Sequence, residues 1–164
     1  MSKHSKRIAV FPGSFDPFTI GHEALVKRTI NLFDEIIIAI GTNSNKHYMF
    51  PIEQRLGWIK TVFKNEPKVQ VKSFGGLTIE FCKEQKADFI IRGVRTSTDF
   101  EFEKAIAQMN RALSTIETIF IMPLPEHSAI NSTIIRDIIR NNGDVSMFVP
   151  NSVALNEAFK KLKQ

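Results

Sequence analysis

Short apolar blocks separated by polar segments predict alternating strands and helices along the chain. Residues 7–11 form a β-prone run, and apolar residues within 23–33 then recur at helical spacing. Residues 35–40 are almost continuously apolar, which is typical of a strand buried on both faces of a parallel sheet. The chain thus begins with a strand, a helix and a second strand, the repeating unit of an α/β fold.

The same alternation continues beyond the second strand. Further strands are predicted over 69–71, 88–92 and 116–122, and further helices from 51, over 77–86, from 99 to 113 and over 132–140. Asn142-Gly143 supplies the stop signal for the helix over 132–140, and Asn151 is predicted to cap a last amphipathic helix. We therefore expect one domain, residues 1–164, with an α/β fold in which a five-stranded, mostly parallel sheet carries helices on both faces.

Five polar segments directly follow predicted strands. They are residues 12–22, 43–46, 75–78, 92–95 and 127–133. In open parallel sheets ligands bind outside the carboxyl ends of the strands, near the point where the strand order reverses. We therefore expect these segments to form a single site at one edge of the sheet.

Composition limits the class of protein. Of the 164 residues, 43% are hydrophobic and 24% are charged, as in an ordinary globular domain. No apolar run approaches the length of a membrane span, and the basic N-terminal stretch is too short for a signal peptide. Cys82 is the only cysteine, so an internal disulfide is excluded and a reducing, cytoplasmic location is expected.

The net charge of +5 raises the question of a nucleic-acid partner. The basic residues are scattered apart from a Lys-Lys-x-Lys tail at 160–163, and one Tyr and one Trp offer no platform on which bases could stack. We therefore expect no nucleic-acid partner and no membrane partner. The positive charge suits the steering of small, strongly anionic substrates.

The segment 12–22, Pro-Gly-Ser-Phe-Asp-Pro-Phe-Thr-Ile-Gly-His, joins the first strand to the first helix. A helix start offers free N–H groups and the positive end of a dipole, which together favour phosphate. Gly13 would allow a tight turn or close approach to a ligand, while Ser14 and His22 offer polar side chains. By itself His22 also fits a residue that merely caps or packs at a helix start. A Ser–His hydrolase would need the motif G-x-S-x-G, which is absent around Ser14.

Thr19-x-Gly21-His22 resembles the T-x-G-H motif of the nucleotidyltransferase superfamily. The longer string 12–22 is similar to that of the bacterial phosphopantetheine adenylyltransferase family. Residues 45–50, 92–95 and 130–136 match further segments of that family, in the expected order. The resemblance covers nearly the whole chain.

This resemblance implies a Rossmann-like nucleotidyltransferase fold and a reversible reaction of coenzyme A biosynthesis. AMP would pass from ATP to 4′-phosphopantetheine, giving dephospho-CoA and pyrophosphate. Mg²⁺ would be brought with ATP, with no metal site formed by the protein alone. Coenzyme A (CoA) is a further candidate ligand, as an inhibitor, and the habit of the family is a homohexamer.

The resemblance also assigns roles to individual residues. The catalytic candidates are His22, Ser14, Lys46 and Arg95. The candidates for ATP binding are Ser14, Phe15, His22, Gly93, Val94, Arg95, Glu103, His127, Ser128, Ala129, Ile130, Asn131, Ser132 and Thr133. The candidates for binding the acceptor substrate are Ser14, Lys46, Thr78 and Arg92. The run at 109–111 also matches the family, and we interpret it as structural or oligomeric.

Several structural alternatives stay open. Arg92 and Arg95 could pair with the acidic helix start at 99–103 rather than with a ligand, although arginine forks suit phosphate oxygens. Lys46 could be an ordinary surface lysine, and the hydroxyls of 132–133 could belong to an ordinary helix cap. Asn131 stands where the family has Ser, and His127 and Ala129 stand where close relatives often have bulky aromatics.

Alternatives also remain at the level of function. The same T-x-G-H chemistry serves cytidylyltransferases and nicotinamide-nucleotide adenylyltransferases, which use another base or another acceptor. A different class of protein, a non-catalytic nucleotide-binding or regulatory module, would keep the fold without turnover.

Overall fold

The computed structural model describes residues 6–153, so the predicted last helix after Asn151 and the basic tail lie outside the described residues. Five strands form one sheet in the order β3-β2-β1-β4-β5, and every neighbouring pair is parallel. The strands are β1 (Ile8–Gly13), β2 (Glu35–Thr42), β3 (Val69–Gly75), β4 (Phe89–Gly93) and β5 (Glu117–Ile121). The predicted α/β fold with a five-stranded sheet is thereby confirmed.

Helices cover both faces of this sheet. They are α1 (Ile20–Thr29), α2 (Ile52–Val62), α3 (Thr78–Glu84), α4 (Ser97–Leu113) and α5 (Ser132–Arg140). α1 and α2 pack on one face, where Val26 and Ile59 join the core of that side. α3 packs on the opposite face through Ile79 and Cys82. α5 packs beside α2, because Ile135 and Trp58 share a third cluster.

β2 shows why a continuous apolar run predicts a central strand. Ile36, Ile38 and Ile40 point into the core on the α1 and α2 side, whereas Ile37 and Ala39 point into the core on the α3 side. Successive side chains of a strand face opposite sides, so both sides must be apolar when both are covered. Each fully buried isoleucine side chain contributes roughly 1.5–3 kcal/mol through the hydrophobic effect.

Some predicted boundaries differ from the observed ones. β3 runs to Gly75 rather than ending near residue 71, because it lies at the edge of the sheet and alternates polar and apolar positions. α1 begins at Ile20, since Thr19 caps it. The stop signal after α5 is confirmed: Asn142 adopts φ 61°, and the amide of Gly143 donates to the carbonyl of Ile138 over 2.8 Å.

α4 differs from the other helices because none of its residues is fully buried. Its inner side contacts β5, where Phe100 and Phe120 meet edge to face with ring centroids 5.4 Å apart. Its outer side carries an exposed apolar row formed by Phe102, Ile106, Met109 and Leu113. In residues 6–153, no helix is long and apolar enough to cross a membrane.

The order of the strands fixes the place of a ligand site. The chain proceeds from β1 outward to β2 and β3, and then returns to add β4 and β5 on the other side of β1. Between β1 and β4 the connections therefore leave in opposite directions, which opens a crevice at the carboxyl ends of the strands.

Candidate active site

A cleft of about 390 Å³ occupies the predicted position at the carboxyl ends of β1 and β4. It brings together side chains from the segment 12–22, the end of β4, and the residues before and within the start of α5. Its lining is Phe11, Pro12, Gly13, Ser14, Phe15, Thr19, Gly21, His22, Leu25, Arg92, Gly93, Arg95, Pro123, His127, Ile130, Asn131, Ser132, Thr133 and Arg136. Three of the five predicted segments therefore meet here.

The turn after β1 is made by Phe15 rather than by Gly13. Phe15 adopts φ 47°, a left-handed conformation that is unusual for a bulky residue. A Cβ atom at Gly13 would lie 2.8 Å from the Phe15 ring, so the glycine is needed to make room for that ring. Gly13 is therefore required by packing, whereas the sequence suggested a turn or close approach to a ligand.

His22 is oriented by the helix start on which it lies. The hydroxyl of Thr19 accepts from the His22 amide, and the amide of Thr19 donates to Nδ1 of the imidazole over 3.1 Å. This reciprocal pair is a capping box in which histidine takes the third helical position. Because Nδ1 accepts a hydrogen bond, the single N–H of the neutral imidazole must be on Nε2. The spacing of the T-x-G-H motif thus fixes the tautomer.

The surroundings of His22 keep the imidazole uncharged. Its ring packs among Phe15 and Phe18, with ring centroids 5.1 and 5.3 Å away. Burial, and to a lesser extent the positive charge of Arg95, lower the pKa of His22 to about 4. At neutral pH the residue is therefore a hydrogen-bond donor through Nε2 and not a cation.

Arg92 both pairs with an acidic residue of α4 and faces the cleft, so the two alternatives that the sequence left open apply together. Its guanidinium forms a two-point ion pair with Glu103, with Nε donating to the carboxylate over 2.7 Å, and it also donates to the carbonyl of Pro12 over 2.9 Å. The predicted pairing with α4 therefore exists, yet Arg92 still lines the cleft. The side chain is held in place rather than turned away.

Arg95 is held more loosely. Its Nε lies 3.3 Å from Asp99, and Nη1 lies 3.4 Å from the carbonyl of Ile130. Both distances are long for hydrogen bonds, and the side chain is 38% exposed. Arg95 lines the same cleft as His22, so its charge is available to an anion.

The start of α5 closes one side of the cleft. Asn131, which departs from the family pattern, serves as the N-cap, because its side-chain oxygen accepts from the amide of Ile134 over 2.9 Å. The hydroxyl of Ser132 donates to the carbonyl of Pro17 over 2.9 Å and ties the helix to the first loop. Arg136 donates to the carbonyl of Asp16 over 2.7 Å and also lines the cleft.

His127 carries an unused polar atom. Its Nδ1 is buried and has no hydrogen-bond partner among residues 6–153. The residue lines the cleft, and its Cβ lies against Gly21. A buried nitrogen without a partner is costly, so this atom is suited to a ligand or a water molecule.

A second, smaller cavity of about 130 Å³ adjoins the cleft on the far side of Arg92. Thr78 and Glu103 of the predicted site line this cavity, together with Asn110 and Thr118, which the sequence did not indicate as ligand contacts. The hydroxyl of Thr118 is buried and lacks a partner within the described chain. The run at 109–111 therefore contributes a cavity-lining residue, Asn110, in addition to any structural role.

Other predicted site residues lie outside both cavities. Lys46 is exposed on the loop after β2, and Val94 is buried at the end of β4. Ser128 donates to the carbonyl of Pro125 over 2.7 Å, and Ala129 is exposed. None of these four residues lines the cleft or the smaller cavity.

The chain is similar to proteins of known family. The chain matches the cytidylyltransferase-like family over residues 10–138. It is 59% identical over 147 residues to phosphopantetheine adenylyltransferase from Flavobacterium psychrophilum, covering 90% of this chain and 97% of that relative. It is 48% identical over 149 residues to the same-named protein of Bacteroides fragilis, covering 91% and 99%.

A solved structure supports the fold alone. It is described as a nicotinate-nucleotide adenylyltransferase from Vibrio parahaemolyticus, with a TM-score of 0.66 at 21% identity, and the match covers 97% of this chain and 99% of that one. The identities of 59% and 48% to the two phosphopantetheine adenylyltransferases are much higher, and they decide which family of this fold the chain belongs to. The chain therefore belongs to the phosphopantetheine adenylyltransferase family, within the wider cytidylyltransferase-like family.

Proposed function

We propose that the protein transfers the adenylyl group of ATP to 4′-phosphopantetheine, giving dephospho-CoA and pyrophosphate, and that it also catalyses the reverse reaction. The observation that carries this function is the 59% identity to a phosphopantetheine adenylyltransferase over almost the whole of both chains. The cleft supports it, because its donors are cationic, hydroxyl and amide groups suited to phosphates.

ATP occupies the main cleft in this proposal. The amides at the start of α5, with Ser132 and Thr133, face the phosphate chain beside Arg95. His127 and Ile130 border the same cleft and would contact the base. Because Asn131 caps α5, its replacement of the usual Ser preserves the helix start. Phe15, Gly93, Val94, Ser128 and Ala129 complete this side, by contact or by shaping the loops.

4′-Phosphopantetheine occupies the smaller cavity and reaches the cleft at Arg92. That arginine borders both cavities, so it can hold the acceptor phosphate at the point where they meet. Thr78 and Asn110, with the unpartnered hydroxyl of Thr118, offer polar contacts to the amides of the pantetheine arm. Lys46, exposed on its loop, would close over the acceptor phosphate from solvent.

The chemistry is a direct displacement. A phosphate oxygen of the acceptor attacks the α-phosphorus of ATP, one phosphoanhydride bond forms, another breaks, and pyrophosphate leaves. The acceptor phosphate is already a nucleophile at neutral pH, so the enzyme needs only to position the substrates and stabilise charge. In this proposal the Nε2–H of His22 and the guanidinium of Arg95 stabilise that charge, and Ser14 lines the same cleft.

Mg²⁺ enters this proposal bound to ATP. Across residues 6–153 there is no group of three or more His, Cys, Asp or Glu side chains arranged to hold a metal ion. Magnesium favours oxygen ligands and commonly binds through substrate phosphates, where it neutralises phosphate charge. The arginines and hydroxyls that line the cleft would bind phosphate oxygens of ATP.

We also propose a homohexamer in the cytoplasm, with CoA as a further ligand. The exposed row on α4 supports self-association, since Phe102 is 66%, Met109 65% and Leu113 58% exposed. Apolar side chains in one contiguous row mark an interaction surface more often than a solvated one. CoA contains the pantetheine arm and the adenosine, so it could compete for both cavities.

A panel of substrate pairs tests the function. With Mg²⁺ and ATP, the purified protein is expected to release pyrophosphate only when 4′-phosphopantetheine is added, and dephospho-CoA with pyrophosphate is expected to yield ATP. CTP with glycerol 3-phosphate, and ATP with nicotinamide mononucleotide, are expected to give little product. Turnover with another acceptor alone would retain the superfamily and reject this substrate. ATP binding without any turnover would favour a regulatory module.

Cys82 is expected to be dispensable for turnover. It is fully buried on the α3 side of the sheet, and burial raises the pKa of its thiol to about 12, so no thiolate exists at neutral pH. Cys82→Ala should keep kcat within about twofold, because the proposed chemistry uses no covalent intermediate. Steady-state kinetics on a variant shown to be folded would check this. Lost turnover in that folded variant would reopen covalent catalysis.

A further inference from the structure

Two buried charged residues contact the loops after β1 and β2 and play no part in the chemistry described above. Arg55 on α2 is 2% exposed, and Asp16 in the first loop is 3% exposed. Charged groups are rarely buried without partners, because removing them from water is costly. Each of the two residues must therefore have partners that compensate for its burial.

Arg55 connects two loops that are far apart in the sequence. Its Nη1 donates to the carbonyl of Ser14 over 2.6 Å, and its Nε donates to the carbonyl of Phe50 over 2.9 Å. The guanidinium also stacks on the ring of Tyr48, 4.2 Å from its centroid. One planar side chain thus fixes the backbone of both loops.

Asp16 makes the reciprocal connection. Its two carboxylate oxygens accept from the amides of Met49 and Phe50, over 2.8 and 2.9 Å. Burial lowers the pKa of Arg55, and the nearby Asp16 carboxylate opposes that change by favouring the charged guanidinium. The two opposite charges therefore compensate each other while each binds the backbone of a loop.

These contacts determine where the loop after β2 can lie. We call residues 43–50 the acceptor loop. Tyr48, on which Arg55 stacks, extends the connection, because its hydroxyl donates to the carbonyl of Gly41 and accepts from the amide of Asn43. Lys46 sits on the exposed turn of this loop, and the amide of Lys46 closes the turn onto Asn43. The lysine is therefore carried by a loop anchored from beneath.

We propose that Arg55 and Asp16 are positioning residues that hold the acceptor loop, and with it Lys46, in register with Ser14. This inference rests on the proposed function, in which Lys46 meets the acceptor phosphate. In this inference, Arg55 and Asp16 set the distance between Ser14 and Lys46, which lie on the two loops that they connect. Neither residue touches substrate, so their effect on binding of the acceptor must pass through Lys46, whose loop they hold.

Arg55→Met tests the proposal by separating the two substrates. KM for 4′-phosphopantetheine is expected to rise about tenfold, since small misplacements of a binding group have large effects, while KM for ATP stays within about twofold. Arg55→Lys, which keeps the charge but loses the fork, is expected to recover part of the loss and serves if the methionine variant does not fold. The matched control is Ile59→Ala, a buried change on the same helix that should lower thermal stability without raising KM for the acceptor.

A double-mutant cycle with Lys46→Ala shows whether the effect passes through the lysine. In that background Arg55→Met is expected to raise KM for the acceptor far less than in the wild type. A full additive rise, an equal rise of KM for ATP, or an unchanged KM for the acceptor in a folded variant would overturn the proposal.

Amide hydrogen exchange provides a readout that does not depend on turnover. Arg55→Met is expected to speed exchange at the amides of Met49 and Phe50, whereas Ile59→Ala should leave the protection of these amides relative to the rest of the chain unchanged. If the wild type does not turn over 4′-phosphopantetheine, the proposed function fails, and exchange still decides whether the pair anchors the loop. Unchanged exchange in Arg55→Met would overturn the anchoring itself.

Discussion

Replacing His22 by alanine is expected to lower kcat by roughly 10²-fold or more, the effect of losing one preorganised donor to a developing charge. The affinity for ATP should fall far less, because the donor acts mainly on charge that develops in the transition state. Thr19 fixes Nδ1 as an acceptor, and burial lowers the pKa of His22 to about 4, so Nε2–H is the only donor that the ring offers at neutral pH. Steady-state kinetics with a direct ATP-binding assay measure both quantities.

The geometry of the capping box gives a matched pair of control variants. The amide nitrogen of glutamine at position 22 reaches the place of Nε2, whereas that of asparagine reaches the place of Nδ1. We therefore expect His22→Gln to keep more activity than His22→Asn. The kcat of the wild type should show no inflection from His22 between about pH 5 and 8, because a neutral donor does not titrate there. An unchanged kcat in a folded His22→Ala variant would make the imidazole purely structural.

The spacing of apolar residues was sufficient to predict the fold, because the buried faces of strands and helices require apolar side chains at regular intervals. The run at 35–40 became β2 with cores on both sides, and the helical spacing after residue 23 became α1. The end of β3 was missed because an edge strand needs apolar residues on fewer positions, so its pattern weakens toward Gly75. Local signals such as Asn142-Gly143 succeeded because a helix stop depends on a few adjacent residues.

The candidate site was predictable where a motif lies in one segment and not where it depends on distant contacts. The T-x-G-H spacing drew attention to His22, which lines the cleft at the start of α1, but the left-handed turn falls on Phe15, for which the sequence gives no signal. The Arg55 contacts to Ser14 and Phe50 required the tertiary structure, because a lone arginine in an amphipathic helix usually faces solvent. The place of Asn110 in the smaller cavity likewise depends on how α4 lies against β5.

The two arginines at the end of β4 are expected to separate the two substrates. Arg92→Ala should raise KM for 4′-phosphopantetheine, because Arg92 borders both cavities. Arg95→Ala should raise KM for ATP, because Arg95 lines the main cleft and not the smaller cavity. Each loss is expected to be about 1.5–3 kcal/mol, the net value of a hydrogen bond to a charged group, or roughly ten- to a hundredfold in KM. Steady-state KM values for both substrates in both variants measure the division.

Glu103 complicates the first of these variants and also supplies its control. Its side chain is 12% exposed, so Arg92→Ala leaves a largely buried carboxylate without its partner and destabilises the protein as well. The double variant Arg92→Ala/Glu103→Gln removes that charge and is expected to recover stability while KM for the acceptor stays high. Arg7 lies just before β1, is exposed and pairs with Asp34. Arg7→Ala should therefore change neither KM. Equal losses for both substrates in both single variants would contradict separate roles, and recovery of KM in the double variant would show that Arg92 acts only through the fold.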